Sequence, residues 1–230
     1  MTKRALRMLG LMDRATTAWH IPVIGRAKGR VIRRLIETHR PRRAIEIGSL
    51  LGYSAIVIAG SLRPGGRLVC VEANPFLAQL VESNIAEAGL ARRVRVVTGD
   101  ALRAIPLLPG RFDFALIDAA KEDYLDYLRQ IEPRLTPGAV VVADNTGAFF
   151  RRAVAPYLEY VRGAGTYHSR EYDFGDDAME VSIRNGAPAG RVDGEARRLH
   201  LAGSRSLRRG HLGATRGRPR LRLARAVLAE

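Results

Sequence analysis

The chain has 230 residues, 47% of them hydrophobic, a single cysteine (Cys70) and a formal net charge of +15. That length accommodates one α/β domain with a sizeable core, one cysteine excludes an internal disulfide and suits a reducing compartment, and no apolar run reaches the ~18 residues of a membrane span. The basic start Met1-Thr2-Lys3-Arg4 is followed by neither a long apolar core nor a small-residue cleavage site, so a cytoplasmic protein without signal peptide or membrane contact is expected.

Residues 3–18 read as a helix, with Leu6, Leu9 and Met12 at helical spacing. Pro22 interrupts the pattern, residues 26–39 form a second helix with Val31, Ile32, Leu35 and Ile36 inward, and Pro41 ends it. Strands and helices then alternate. Residues 43–48 read as a strand and 53–62 as a helix. The strand at 67–72 leads to a helix at 75–88, with Gly89 as its C-terminal signal. A strand at 94–98 leads to a short helix reaching about residue 108. The strand at 113–118, a helix at 122–135, a turn at Pro137-Gly138 and the strand ending at Asp144 come next, then a helix at 148–162. Two strands at 166–172 and 178–184 make a hairpin-like finish. This order predicts an α/β fold: a doubly wound, mostly parallel seven-stranded sheet with helices on both faces and an antiparallel C-terminal strand, giving one antiparallel edge.

Charge is spread unevenly. Residues 1–43 carry 12 Lys/Arg against 2 acids, residues 44–185 carry 15 against 18, and residues 186–230 carry 11 Arg against 3 acids. The last segment has no Lys and no aromatic residue, a composition that cannot bury enough surface to order itself. Basic flanks can attract nucleic acid or serve only as a solubilising surface.

An acid ends each of two consecutive buried strands. Phe114-Ala115-Leu116-Ile117 runs into Asp118, and Ala139-Val140-Val141-Val142-Ala143 runs into Asp144-Asn145. As neighbours in a parallel sheet the strands lie about 4.8 Å apart, so Asp118, Asp144 and Asn145 converge at one edge. Three hard oxygen ligands without His or Cys suit Mg²⁺ or a similar divalent cation.

The first strand ends Glu46-Ile47-Gly48-Ser49-Leu50-Leu51-Gly52-Tyr53-Ser54. Its glycines allow a tight strand-to-helix turn and close approach of a ligand. The spacing differs from the dinucleotide fingerprint, and no P-loop lysine follows, which argues against ATP and GTP. Glu72, 20 residues after Gly52, ends the second strand where a ribose diol is gripped. Gly99-Asp100 ends the third; Asp100 suits either an adenine amine or the N-cap of the helix after it. A glycine bend with two acids on one rim suits a nucleoside ligand without phosphates, and S-adenosylmethionine fits.

The stretch from Ala44 to Ala55, together with Glu72-Ala73-Asn74-Pro75, Gly99-Asp100-Ala101, the run from Leu116 to Tyr124 and that from Val141 to Asn145, resembles the class I S-adenosylmethionine-dependent, cation-dependent O-methyltransferases, which include the catechol and caffeoyl-CoA enzymes. The resemblance covers about residues 20–184. It implies a Rossmann-like methyltransferase domain over 41–185, N-terminal helices over 1–40 on the lid and substrate side, and a tail over 186–230. It further implies that Glu46, Gly48, Tyr53 and Ser54 line the methionine part of the cofactor, that Gly52 also belongs to the cofactor site, that Glu72 holds the ribose and that Asp100 lies near the adenine. The lid matches the segment from Ile24 to Lys28. Asp118, Asp144 and Asn145 match the metal ligands, and Lys121 the lysine that takes the proton from the substrate hydroxyl. Ala119-Ala120 replaces an acid or His-Trp pair, so the pocket wall is smaller or more apolar. Asp173, Asp176 and Asp177 compete for the part of a second substrate-side acid.

The expected function is methyl transfer to a hydroxyl of a catechol-like small molecule with a divalent cation. The alternatives are O-methylation of a hydroxylated tRNA base and a non-catalytic nucleic-acid-binding protein on the same fold. Nucleic-acid binding through the basic flanks is left open but not favoured, and a homodimer is left open.

Overall fold

The computed structural model describes residues 1–186 apart from residue 164. The strands are β1 Arg43–Ile47, β2 Arg67–Glu72, β3 Val94–Thr98, β4 Phe112–Ile117, β5 Leu135–Ala143, β6 Tyr167–Asp173 and β7 Ala178–Arg184. The α-helices are α1 Lys3–Trp19, α2 Gly25–His39, α3 Tyr53–Ser61, α4 Pro75–Glu87, α5 Ala101–Ala104, α6 Tyr124–Ile131 and α7 Ala155–Gly163. One sheet takes the order β3-β2-β1-β4-β5-β7-β6. The pairs from β3 through β5 are parallel, whereas β7 runs antiparallel to both of its neighbours. Strand order reverses beside β1, and the crevice at the carboxyl ends of β1 and β4 is where such sheets take ligands.

Alternation explains the two-sided burial. Ile45 and Ile47 of β1, Val69 and Val71 of β2, Ala115 and Ile117 of β4, and Val141 and Ala143 of β5 share one core with Tyr124 and Leu128 of α6 and Tyr157 and Val161 of α7. The intervening residues Ala44, Glu46, Leu68, Cys70, Phe114, Leu116, Val140 and Val142 belong to the opposite face and are also buried. On the N-terminal side α1 packs on α3 and α4, and α2 on α3. Met12, Ile32 and Ile36 are fully buried there. None of the described helices is long and apolar enough to cross a membrane.

Several boundaries differ from the sequence expectation for identifiable reasons. The helix expected over 148–162 begins only at Ala155; Pro156 lacks an N–H and is tolerated only in a first turn. The helix expected over 122–135 is a 3₁₀ turn (Lys121–Asp123), α6, and a second 3₁₀ turn (Glu132–Arg134) that carries Pro133. Pro137-Gly138 is not a turn into β5 but lies within it. The pairing slips there, from Phe112 opposite Leu135 to Phe114 opposite Val140, a bulge that absorbs the proline. The expected antiparallel edge is present: the C-terminal strand β7 lies antiparallel between β5 and β6, and β6 is the border. The expectation for the Arg-rich tail falls outside the described residues from 187 onward.

Gly48 fixes how the bend meets the sheet. Its φ is +81°, and a Cβ placed on it would lie 2.2 Å from the backbone oxygen of Asp118. Both a left-handed conformation and a backbone contact therefore demand glycine. Gly48→Ala is expected to cost more than about 2 kcal/mol, read as a lowered urea midpoint. A midpoint equal to wild type would show that the bend tolerates a side chain.

Candidate active site

Parallel pairing carries the two acids to one place. Ile117 of β4 lies opposite Ala143 of β5, and the Asp144 N–H donates to the Ile117 carbonyl at 3.0 Å. Asp118 in turn donates its N–H to Ile47 at 2.9 Å, which places the β4 tip against the Gly48 bend. Asn145 has φ +53°, a left-handed conformation that asparagine accepts more readily than most residues. Burial first, and the neighbouring Asp118 charge second, push the Asp144 carboxyl above its ordinary range, while Lys28 pulls the other way.

The structure brings two further groups to these tips. Asp177, just before β7, comes from the 174–177 loop. Its Oδ2 accepts from the Asn145 amide at 2.6 Å, and its Oδ1 accepts from the Ala178 N–H at 2.8 Å. Among the three candidate second acids, Asp177 is therefore the one joined to the cluster; Asp173 instead caps its own turn through the Gly175 N–H. Lys28, in the first turn of α2, places its ammonium 2.5 Å from Asp144 Oδ1 and 2.5 Å from Asp177 Oδ2. Burial works against that charge, but the two carboxylates outweigh it, so the ammonium is held more firmly protonated than an ordinary lysine. Sequence reading placed Lys28 only within a lid segment. A signal existed: the chain has three lysines among 38 basic residues, and two of them are here.

Lys121 is the second. It lies in the 3₁₀ turn before α6, and Nζ donates to Asp118 Oδ1 at 2.9 Å and to the Tyr124 hydroxyl at 2.8 Å. Tyr124 passes the chain on by donating to the Asp144 carbonyl at 3.0 Å. The Lys121 ammonium also lies 5.5 Å from the centre of the Phe150 ring. Tyr124 itself, fully buried in the core, was not among the sequence-derived site residues.

The remaining expected residues divide. Glu46 and Ser54 are buried beside the bend: Glu46 Oε2 accepts from the Ser49 hydroxyl at 2.6 Å, and Glu46 Oε1 is buried without a partner. Glu72 braces the bend itself. Its Oε2 accepts from the Ser49 and Leu50 N–H groups at 2.9 and 3.0 Å, and its Oε1 from Asn74 N–H at 3.1 Å. Gly52 takes φ +80° at the N-terminus of α3. Tyr53, next to it, turns toward the N-terminal helices; burial and the Asp13 carboxylate keep its hydroxyl protonated, and its ring borders Gly29 of α2. Ile24 is buried at the start of α2. Asp100 is exposed and caps α5 through the Leu102 N–H at 2.9 Å, the second of its two expected roles.

The donor atoms suit the groups that the sequence suggested. The Oε1 of Glu46 is a buried acceptor without a partner. Asp118, Asp144 and the amide oxygen of Asn145 are hard oxygen donors with no competing sulfur or imidazole, as a magnesium-like ion requires. Among the described residues no group of three or more His, Cys, Asp or Glu side chains is placed to hold a metal ion; the set here is two carboxylates and an amide, and Lys28 is the positive charge on Asp144.

Burial pushes the Glu46 carboxyl up to about 7, with the Ser49 and Ser54 hydroxyls pulling it down. A folded value above the unfolded one means that the folded state holds the proton more tightly. Its contribution to stability is fully present below about pH 4.5 and is lost as pH rises through about 7. Glu46→Gln is thus expected to flatten the decline of Tm between those pH values, a difference on the order of 3 kcal/mol at most. Parallel Tm-against-pH curves for the two proteins would contradict the assignment.

Similarity to known proteins follows the same residues. A family model described as O-methyltransferase matches residues 5–155. Catechol O-methyltransferase B from Danio rerio is 32% identical over 173 residues, 70% of this chain and 64% of that protein. Catechol O-methyltransferase from Mycobacterium tuberculosis is 37% identical over 134 residues, 57% of this chain and 61% of that protein. The chain thus spans about three fifths of the length of these curated relatives. Among solved structures, the O-methyltransferase TomG from Streptomyces achromogenes, in complex with SAM, superimposes with a TM-score of 0.71 at 28% identity, covering 78% of this chain and 90% of that one. The glycine bend, both strand-tip aspartates and Lys121 all fall within the matched segment: this chain belongs to the O-methyltransferase family.

Proposed function

We propose that this protein is an S-adenosylmethionine-dependent O-methyltransferase that methylates a hydroxyl of a catechol-like small molecule with the help of a divalent cation. The observation that carries the reading is the convergence of Asp118, Asp144, Asn145 and Lys121 at two neighbouring strand tips that abut the Gly48 bend. The reaction forms an oxygen–carbon bond as a sulfur–carbon bond breaks, so the incoming oxygen must lie on the line of the departing sulfur. A phenolic hydroxyl, with a pKa near about 10, is a weak nucleophile at neutral pH until its proton is removed.

The chain's own groups divide this work. Glu46 receives the ammonium of the donor's methionine on its free Oε1, and the bend braced by Glu72 fixes the donor's backbone contacts. Lys121 Nζ is the group placed to take the hydroxyl proton, and Asp118 and Tyr124 orient it. Asp177 faces the second hydroxyl as acceptor. Phe150 lies beside Lys121, with its ring centre 5.5 Å from Nζ. Asp118, Asp144 and Asn145 would hold the divalent cation, which supplies Lewis-acid stabilisation of the substrate oxyanion when bound.

The arginine-lined surface among the described residues lies at the opposite end of the strands from the acid cluster. Arg43, Arg67, Arg92, Arg93 and Arg95 line one concavity at the amino ends of β1–β3. A polyanion held there would be separated from Asp118 by the length of β1, roughly 15 Å at about 3.3 Å per residue.

Transfer of labelled methyl from S-adenosylmethionine should be seen with catechols and not with bulk tRNA, and should stop when a chelator removes divalent ions. Lys121→Ala is expected to lower kcat by about 100-fold or more while leaving cofactor affinity unchanged. Methylation that persists in full without divalent ions, or an unaltered kcat in the lysine variant, would overturn the reading.

A further inference from the structure

The chain carries 35 arginines and three lysines. Lys3 is exposed at the start of α1. Both others put their ammonium on acids of the candidate site. Arginine meets a buried carboxylate elsewhere, as Arg162 does on Glu180, but at the strand tips the chain uses lysine, a compact point charge.

Lys28 is the more unusual of the two. It reaches from the first turn of α2 into the acid cluster, is 8% exposed, and meets Asp144, which is 1% exposed. Its two carboxylate partners are not equivalent. Asp177 has other donors in the Asn145 amide and the Ala178 N–H. Asp144 is 1% exposed, the Asn145 backbone N–H is its other donor, and the Lys28 ammonium 2.5 Å from its Oδ1 is its counter-charge. A buried carboxylate in that state needs a cation beside it. A divalent ion on the same carboxylate and the ammonium would repel one another strongly at this depth.

We propose that Lys28 is a built-in counter-ion that occupies the cation position on Asp144 and withdraws when a divalent ion binds, so that metal loading frees the first turn of α2 from the strand tips. This rests on the reading that Asp118, Asp144 and Asn145 hold a divalent cation. The local backbone suits a withdrawal. Helix α2 starts at Gly25, with φ +70° and no atom within 4 Å of a would-be Cβ. Once Lys28 has left, Asp177 retains its other donors and its partial exposure to water, whereas the buried Asp144 requires a replacement charge.

The test is Mn²⁺ binding by calorimetry to the full chain without cofactor or substrate, for wild type and Lys28→Met. Removing the competing cation is expected to tighten Mn²⁺ binding by about tenfold or more, and to make Mn²⁺ raise Tm further in the variant than in wild type. A second measurement needs no variant: lysine acylation of wild type, read by peptide mass spectrometry with exposed Lys3 as internal standard. Saturating Mn²⁺ is expected to raise labelling of Lys28 severalfold relative to Lys3. Equal or weaker Mn²⁺ affinity in Lys28→Met, or unchanged Lys28 labelling at saturation, overturns the proposal while leaving the metal reading intact. Absence of Mn²⁺ binding in both proteins overturns the two together. If Lys28→Met does not fold, the labelling result decides.

Discussion

The register between β4 and β5 is the constraint on which the site depends. Ile117 faces Ala143, and the following residues, Asp118 and Asp144, are therefore side by side where the ladder ends. A slip of one residue would turn either acid to the other face of the sheet. What prevents the slip is the core: Ala115, Ile117, Val141 and Ala143 all point to the α6–α7 side and are fully buried. Hydrophobic packing, which has no interest in chemistry, thus sets the spacing of the two carboxylates.

Bringing acids together under partial burial creates an electrostatic problem, and the molecule answers it with lysines rather than with solvent. Lys121 meets Asp118, and Lys28 meets Asp144 and Asp177. Neither pair is a surface ion pair of the kind that contributes little. The side chains of Lys28 and Lys121 are 10% and 13% exposed, so unpaired acids there would be strongly disfavoured. The tyrosine hydroxyl between Lys121 and the Asp144 backbone joins the two strand tips into one network.

Much of this was legible because two periodicities cooperate. Fully apolar strands between helices predict a covered parallel sheet, and an acid that ends such a strand has nowhere to go but the rim, so the pattern alone marks Asp118 and Asp144. Asp177 could not be singled out from Asp173 and Asp176, since a hairpin loop has no period; the pairing of Ala143 with Glu180 is what brings it beside Asn145. Lys28 escaped because helical spacing reports which face is apolar, not which long side chain reaches a distant carboxylate. Glu72 was placed correctly on the rim, yet its hydrogen bonds run to backbone N–H groups of the bend, a local competition that position along a strand does not reveal. The late start of α7 and the proline inside β5 were missed where one residue's lack of an N–H overrode a longer pattern.

The interior position of β7 has a consequence for how the protein is made. Strand β5 stays an open border until residues Ala178–Arg184 emerge, because β7 pairs with it and β6 only with β7. During synthesis the first five strands can assemble in order, but the sheet's final inner row arrives last and must enter before the outer one can settle. Asp177 enters with that row, so the acid cluster and its lysine strut are completed in the same closing event that seals the sheet.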